Sequence, residues 1–220
     1  VSGSQLPLPL RIEPSLGRED FIVAPGNAEA VRFIDSFPNW PAPAAALYGP
    51  AGSGKSHLVS VWARAAGARV VEAAALDGRF VRTLGAETAV AVENVDSAGT
   101  AARDDALFAL INRHTPLLLT GREPPQSWPV SLPDLSSRFK ALLAFALWSP
   151  DDALLEALAR KLFADRQLKV PDAVVVRMVV SLERAPGAIR DFVARADAKA
   201  LAEKRPVTIG LIRELLPPGN

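Results

Sequence analysis

Leu47-Tyr48-Gly49-Pro50-Ala51-Gly52-Ser53-Gly54-Lys55-Ser56-His57-Leu58 is the stretch that decides how this chain reads. Gly49 and Gly54 close a G-x-x-x-x-G spacing, and Lys55-Ser56 follow at once. The apolar run Ala44–Leu47 precedes the motif, and the amphipathic run of His57, Leu58, Val59, Val61 and Trp62 follows it. That strand–loop–helix setting is what a P-loop needs. Glycines let the backbone take positive φ without a Cβ in the way, so successive N–H groups can turn inward on a phosphate. A helix starting near Lys55 aims its unpaired N–H groups and its dipole at the same anion. The Lys55 ammonium would reach the β- and γ-phosphates, and the Ser56 hydroxyl would ligate Mg²⁺. The segment Gly49, Pro50, Ala51, Gly52, Ser53, Gly54, Lys55, Ser56, His57 is therefore the expected nucleotide site, and a nucleoside di- or triphosphate its ligand.

Composition narrows the remaining classes. The chain has 220 residues, 49% of them hydrophobic and 22% charged, enough for one globular domain or one plus a small second. With no Cys and only His57 and His114, disulfides, thiolate sites and multi-histidine metal sites are excluded. A net charge of +1 without a basic run argues against a dedicated nucleic-acid binder. No apolar stretch is long enough to span a membrane, and no export signal opens the sequence, so a cytoplasmic location is expected.

Around the P-loop, apolar and amphipathic runs alternate. Helices are expected over 28–37 and from Lys55 to Gly67, a short one over 80–84, and another over 104–112 with Leu107, Phe108 and Ile111 inward. Strands are expected at 44–47, 69–73, 88–92, 116–120 and 142–147. Strands alternating with helices imply an α/β fold with a parallel sheet covered on both faces. Ser149-Pro150-Asp151-Asp152 is a helix start, with a cap residue, a proline in the first turn and acids at the positive end of the dipole. Everything beyond it reads as helical. One segment after Pro171-Asp172 is rich in valines that prefer strands, and its start signal and length favour a helix. Helices over 188–204 and from the Thr208 cap to Leu216 complete an all-α part. The expected division is a tail over 1–18, an α/β core over 19–148 and a helical lid over 149–220.

The tail holds Gln5-Leu6-Pro7-Leu8-Pro9-Leu10, with leucines at alternate positions of a segment that proline keeps extended. Such a peptide suits insertion into a groove on a partner, and it equally suits folding back on its own domain.

A second nucleotide motif, an apolar strand ending in acids, is found in Val90-Ala91-Val92-Glu93-Asn94-Val95-Asp96. Combined with Gly-Ser-Gly-Lys-Ser-His-Leu, with Phe21-Ile22-Val23 ahead of Asn27, and with Leu132-Pro133-Asp134-Leu135-Ser136-Ser137-Arg138-Phe139, it makes the chain resemble the DnaA/Hda family of AAA+ proteins over nearly its whole length. Gln5, Leu6, Leu8, Pro9 and Leu10 are similar to that family's sliding-clamp-binding motif. The sequence stops at Asn220, after the region resembling the lid, where DnaA continues into a helix-turn-helix domain, so no DNA-binding domain and no sequence-specific DNA binding are expected. The resemblance implies an AAA+ core with a five-stranded sheet, ADP or ATP with Mg²⁺, Ile22 and Val23 at the adenine, Glu93 at the Mg²⁺ shell and Asn94 where active ATPases carry a second acid. It implies Arg138 as an arginine finger acting in trans, against the plainer reading of a solvated helix-end arginine. Thr120-Gly121-Arg122 covers sensor 1, where Arg122 departs from the acid or amide of relatives. The sensor 2 arginine falls near Arg184, although counting from Val207-Thr208-Ile209 points instead to Gly187. Asp96 reads as a loop or cap residue.

An amide cannot take a proton at neutral pH, so Asn94 could orient water without acting as a base. The functional expectation is a negative regulator of replication initiation that binds the sliding clamp and stimulates ATP hydrolysis by DnaA. The alternatives are an autonomous P-loop ATPase or kinase and a DNA-binding initiator or helicase-loader adaptor.

Overall fold

The computed structural model describes residues 17–97, 99–148, 151–182 and 186–216. The chain divides into two compact units, one over Leu16–Ser149 and one that takes in Pro150–Asn220.

In the first unit, helix α1 (Ala28–Asp35) precedes strand β1 (Ala44–Tyr48) and helix α2 (Lys55–Ala66). There follow β2 (Arg69–Glu72), α3 (Gly78–Arg82), β3 (Val90–Glu93), α4 (Ala101–Asn112), β4 (Leu117–Gly121), α5 (Pro133–Lys140) and β5 (Leu143–Ala146). The strands form one sheet in the order β2-β3-β4-β1-β5, and every pairing is parallel. The expected α/β class with a five-stranded parallel sheet is what the chain adopts.

Side chains alternate across a strand, and here both faces are apolar. Ala46, Val90, Val92, Leu117 and Leu119 face α4 and α5 through Leu107, Leu110, Leu135 and Phe139. Ala45, Leu47, Ala91 and Leu118 face α1 and α2 through Val31, Ile34, Leu58 and Trp62. The two cores thus interleave residue by residue along the same strands, which leaves β1 buried between β4 and β5 and delivers its C-terminal end to the P-loop.

Three local differences from the sequence expectation have capping causes. Helix α3 begins two residues before the expected 80–84 because the Asp77 carboxylate accepts the N–H groups of Arg79 and Phe80, both at 2.9 Å. Helix α4 begins at Ala101 because Thr100 caps it, its hydroxyl accepting the Arg103 N–H at 3.2 Å. Helix α5, which the sequence had marked only by its motif, starts with Pro133 in its first turn, where the missing N–H costs nothing.

The second unit contains α6 (Asp152–Asp165), α7 (Asp172–Ser181), α8 (Pro186–Glu203) and α9 (Ile209–Leu215). Asp151 caps α6 by accepting the Leu154 N–H at 2.8 Å, while the expected cap and proline, Ser149 and Pro150, lie outside the described residues. The valine-rich segment is helical as α7. Val174, Val175, Met178 and Val179 are buried at helical spacing, and this burial outweighs the strand preference of single valines. No helix among the described residues is long and apolar enough to cross a membrane.

Candidate functional site

The loop between β1 and α2 has the geometry of a phosphate cradle. Gly49, Gly52 and Gly54 take φ of 148°, 74° and 102°, values that side-chain-bearing residues avoid. Gly49 is further constrained by packing, because an added Cβ would stand 1.9 Å from the Leu147 carbonyl oxygen. The Lys55 side chain is only 8% exposed, and its ammonium donates to the carbonyls of Gly49 (2.7 Å) and Pro50 (2.8 Å). Burial lowers the Lys55 pKa, opposed by the negative charges of Asp96 and Glu93 and reinforced by Arg122. A bound phosphate would supply the anion that this buried cation lacks. Ser53, also in the loop, has a buried hydroxyl with no hydrogen-bond partner among the described residues. Three positive-φ glycines, a buried ammonium and an orphaned hydroxyl fit a di- or triphosphate. Ser56 stands exposed at the first turn of α2, where its hydroxyl could reach a phosphate-bound Mg²⁺.

His57 is buried against residues preceding the sheet. Its Nε2 lies 2.8 Å from the Gly17 carbonyl, and its ring meets Phe21 edge-on at 5.1 Å. These contacts make it a packing residue of α2. Ile22 and Val23 follow Phe21 in a turn shaped by Asn27, whose Oδ1 accepts the Ala24 N–H (2.8 Å) and whose Nδ2 donates to the Ile22 carbonyl (3.1 Å).

Opposite the P-loop, the ends of β3 and β4 meet. Glu93 is the register partner of Glu72 across β2 and β3. Asn94 takes φ of 57°, its N–H donates to the Thr120 hydroxyl (3.2 Å), and its amide donates to the Glu72 carboxylate (2.8 Å). Its donor is thereby committed to the neighbouring strand. Asp96 accepts the Arg122 N–H at 2.7 Å, the loop role the sequence suggested, and its negative charge counters the effect of burial on Lys55 more than that of Glu93 does. Among the described residues no group of three or more His, Cys, Asp or Glu is placed to hold a metal by itself. A Mg²⁺ here would be held with the phosphates, by Ser56 and Glu93.

Adjacent to this edge is a network that the sequence does not suggest. Arg103 and Asp104 are each 1% exposed and paired at 2.6 Å. Arg103 Nη1 donates to the carbonyls of Val95 (2.9 Å) and Ser97 (2.8 Å), and Nη2 donates to that of Pro129. Asp104 Oδ2 accepts both the N–H and the hydroxyl of Ser131 at 2.7 Å. The loop after β3 and the loop before α5 are thus tied through one buried ion pair. Helix α5 carries Arg138 in its last turn, exposed, its side chain without a hydrogen bond or ion pair among the described residues. The α/β unit has a cleft bordered by Arg18, Phe37 and Arg64 that includes no residue of the P-loop, and the helical unit has one of its own bordered by Arg160, Lys169 and Asp172. Arg184, Gln5, Leu6, Leu8, Pro9 and Leu10 lie outside the described residues.

The P-loop follows β1, an interior strand of the five-stranded parallel sheet, and this α/β fold is shared with solved structures of a replication initiator and a branch migration motor. Domain III of the Thermotoga maritima replication initiation protein DnaA is similar at a TM-score of 0.74 and 18% identity, covering 94% of this chain and 99% of that one. The replication initiator DnaA bound to AMPPCP and single-stranded DNA is similar at 0.71 and 18%, covering 88% of this chain and 69% of that one. Thermotoga maritima RuvB, a Holliday junction branch migration motor, is similar at 0.62 and 15%, covering 79% and 60%. No protein-family model and no curated protein matches the sequence.

Proposed function

We propose that this chain is a nucleotide-binding regulator of replication initiation, of the Hda type, that stimulates ATP hydrolysis on DnaA. In this reading Arg138 enters the active site of a DnaA subunit, while the chain's own P-loop holds ADP or ATP with Mg²⁺. Gln5–Leu10 tethers it to the DNA polymerase sliding clamp. The observation that carries the reading is the contrast between two positions. The Arg138 side chain is exposed and unpartnered among the described residues, whereas Asn94, beside the chain's own P-loop, is an amide already bonded to Glu72.

A guanidinium delivered to the transferring phosphoryl group neutralises developing charge without reorganisation, and supplying one is worth roughly 10³–10⁵ in rate in other phosphoryl-transfer systems. An amide at the water-activating position gives the chain little hydrolysis of its own. ADP then acts as a structural ligand that stabilises the folded chain by mass action. The likeness to a DnaA bound to AMPPCP supports nucleotide binding.

Two assays separate this reading from its rivals. Fast multiple-turnover hydrolysis by the isolated chain would make it an autonomous ATPase. Salt-dependent DNA binding, falling steeply with ionic strength, would make it an adaptor on origin DNA. Slow intrinsic turnover with strong stimulation of DnaA is the expected result.

A further inference from the structure

Arg103 uses every donor of its guanidinium group. Nε and Nη2 donate to Asp104 Oδ1 at 3.0 and 2.6 Å, Nη1 donates to the carbonyls of Val95 and Ser97, and Nη2 donates also to that of Pro129. Asp104 Oδ2 is left for the N–H and the hydroxyl of Ser131, each at 2.7 Å. The space around the pair is equally full, because a Cβ added to Gly99 would stand 2.5 Å from Arg103 Nη2 and 3.2 Å from the Pro129 carbonyl oxygen. Burying two charges carries a desolvation penalty that their attraction offsets only when the remaining donors and acceptors are satisfied. Apolar side chains of similar volume would hold a fold as well, whereas a saturated polar network rigidifies one geometry.

That geometry is the entry to α5. Pro129 and Ser131 both precede the helix, and the pair holds both. Leu132 stands at the N-cap and supplies no capping side chain. Only Leu135 and Phe139 of the helix are buried, four positions apart on one face, with Trp128 edge-on against Phe139 at 5.1 Å. Two anchors in one line press a helix onto the core but leave its rotation and axial position to its ends. One end runs into β5, and the other is tied through Ser131. Side chains on a helix lean toward its N-terminus, so Arg138 is carried back toward the end that Ser131 holds. We propose that Arg103, Asp104 and Ser131 are positioning residues for Arg138, setting the placement of α5 and so the direction from which the guanidinium approaches a phosphoryl group on a DnaA subunit. This rests on the reading of Arg138 given above. A misplacement of about 1 Å can cost on the order of 100-fold where rate depends on orientation.

The test is single-turnover decay of ATP bound to DnaA, with clamp loaded on DNA, followed against increasing concentration of the full chain. It yields a plateau rate and a half-saturating concentration. Ser131→Ala removes one hydrogen bond to Asp104 and leaves Arg103 its counter-charge. Its plateau should fall at least about ten-fold at an unchanged half-saturating concentration. Ser131→Thr, which restores the hydroxyl, should recover most of that plateau. Gly99→Ala crowds Arg103 without removing a hydrogen-bonding group, and it should lower the plateau too. Should one of these two alanine variants fail to fold, the other decides. Partial unfolding would give a different pattern, a raised half-saturating concentration at full plateau, and that result would make the pair purely structural and overturn the proposal. A wild-type plateau in Ser131→Ala or Gly99→Ala, with Arg138→Ala inactive, would refute the positioning role and leave the finger standing. If Arg138→Ala stimulates as wild type does, or wild type does not stimulate at all, both inferences fall together.

Discussion

Gly49 shows how closely the cradle is built at the scale of one residue. Its φ of 148° and the Leu147 carbonyl oxygen 1.9 Å from any added Cβ leave room for hydrogen alone. Gly49→Ala should cost at least about 1–3 kcal/mol from backbone strain, before the overlap itself is relieved. Its melting temperature should fall by several degrees, and ADP affinity should drop with it. An alanine variant with unchanged melting and binding would show that the loop is looser than this geometry. Lys55, Ser56 and Glu93 could be picked out from spacing and residue type, because a phosphate cradle dictates both. The hydrogen bonds that join Asp96 to Arg122 and Asn94 to Glu72 could not be read in the same way. Their significance comes from which strand ends lie side by side, and the order β2-β3-β4-β1-β5 is not written in any local pattern.

At the scale of elements, Arg103 and Asp104 couple two loops that are 26 or more residues apart in sequence. Adjacent opposite charges near the start of a helix ordinarily read as solvated surface, which is why the sequence conceals this pair. Only the folding of the loops before and after α4 onto its first turn buries it. Burial alone would raise the Asp104 pKa, but hydrogen bonds from the Ser131 N–H and hydroxyl and from Arg103, with the arginine's charge, hold the carboxyl below its ordinary range. A carboxyl whose folded-state pKa is depressed contributes stability that is fully present above its unfolded value. That contribution is lost as the pH falls through the folded value. Asp104→Asn should therefore cost about 3–5 kcal/mol at neutral pH, because it leaves Arg103 buried without its counter-charge. The deficit relative to wild type should shrink in acid. A urea-unfolding series in which the deficit stays constant with pH would contradict this account. The helices themselves were largely legible, including the valine-rich α7. Helix α5 carries little helical signal in its sequence, because its eight residues offer only Leu135 and Phe139 to the core.

For the whole molecule, the proposed function separates into an anchor and a catalytic side chain. Replacing Gln5, Leu6 and Leu10 together with alanine should remove binding to the sliding clamp and leave ADP affinity as it was. The prolines between them already extend the backbone and so reduce the ordering cost of docking. Undiminished clamp binding by that variant would place the anchor elsewhere in the chain.

The proposed function depends most on Arg138, which lies on α5 beside the loop that Asp104 holds. A lysine there would keep the charge but lose the planar fork, so it should substitute poorly. The decisive measurement is single-turnover decay of ATP bound to DnaA, with clamp loaded on DNA, in the presence of wild type or Arg138→Ala. Wild type should accelerate the decay, while Arg138→Ala should keep its fold, its ADP and its clamp binding yet leave the decay at the rate of DnaA alone. Equal acceleration by both proteins would contradict the assignment and make Arg138 an ordinary surface arginine.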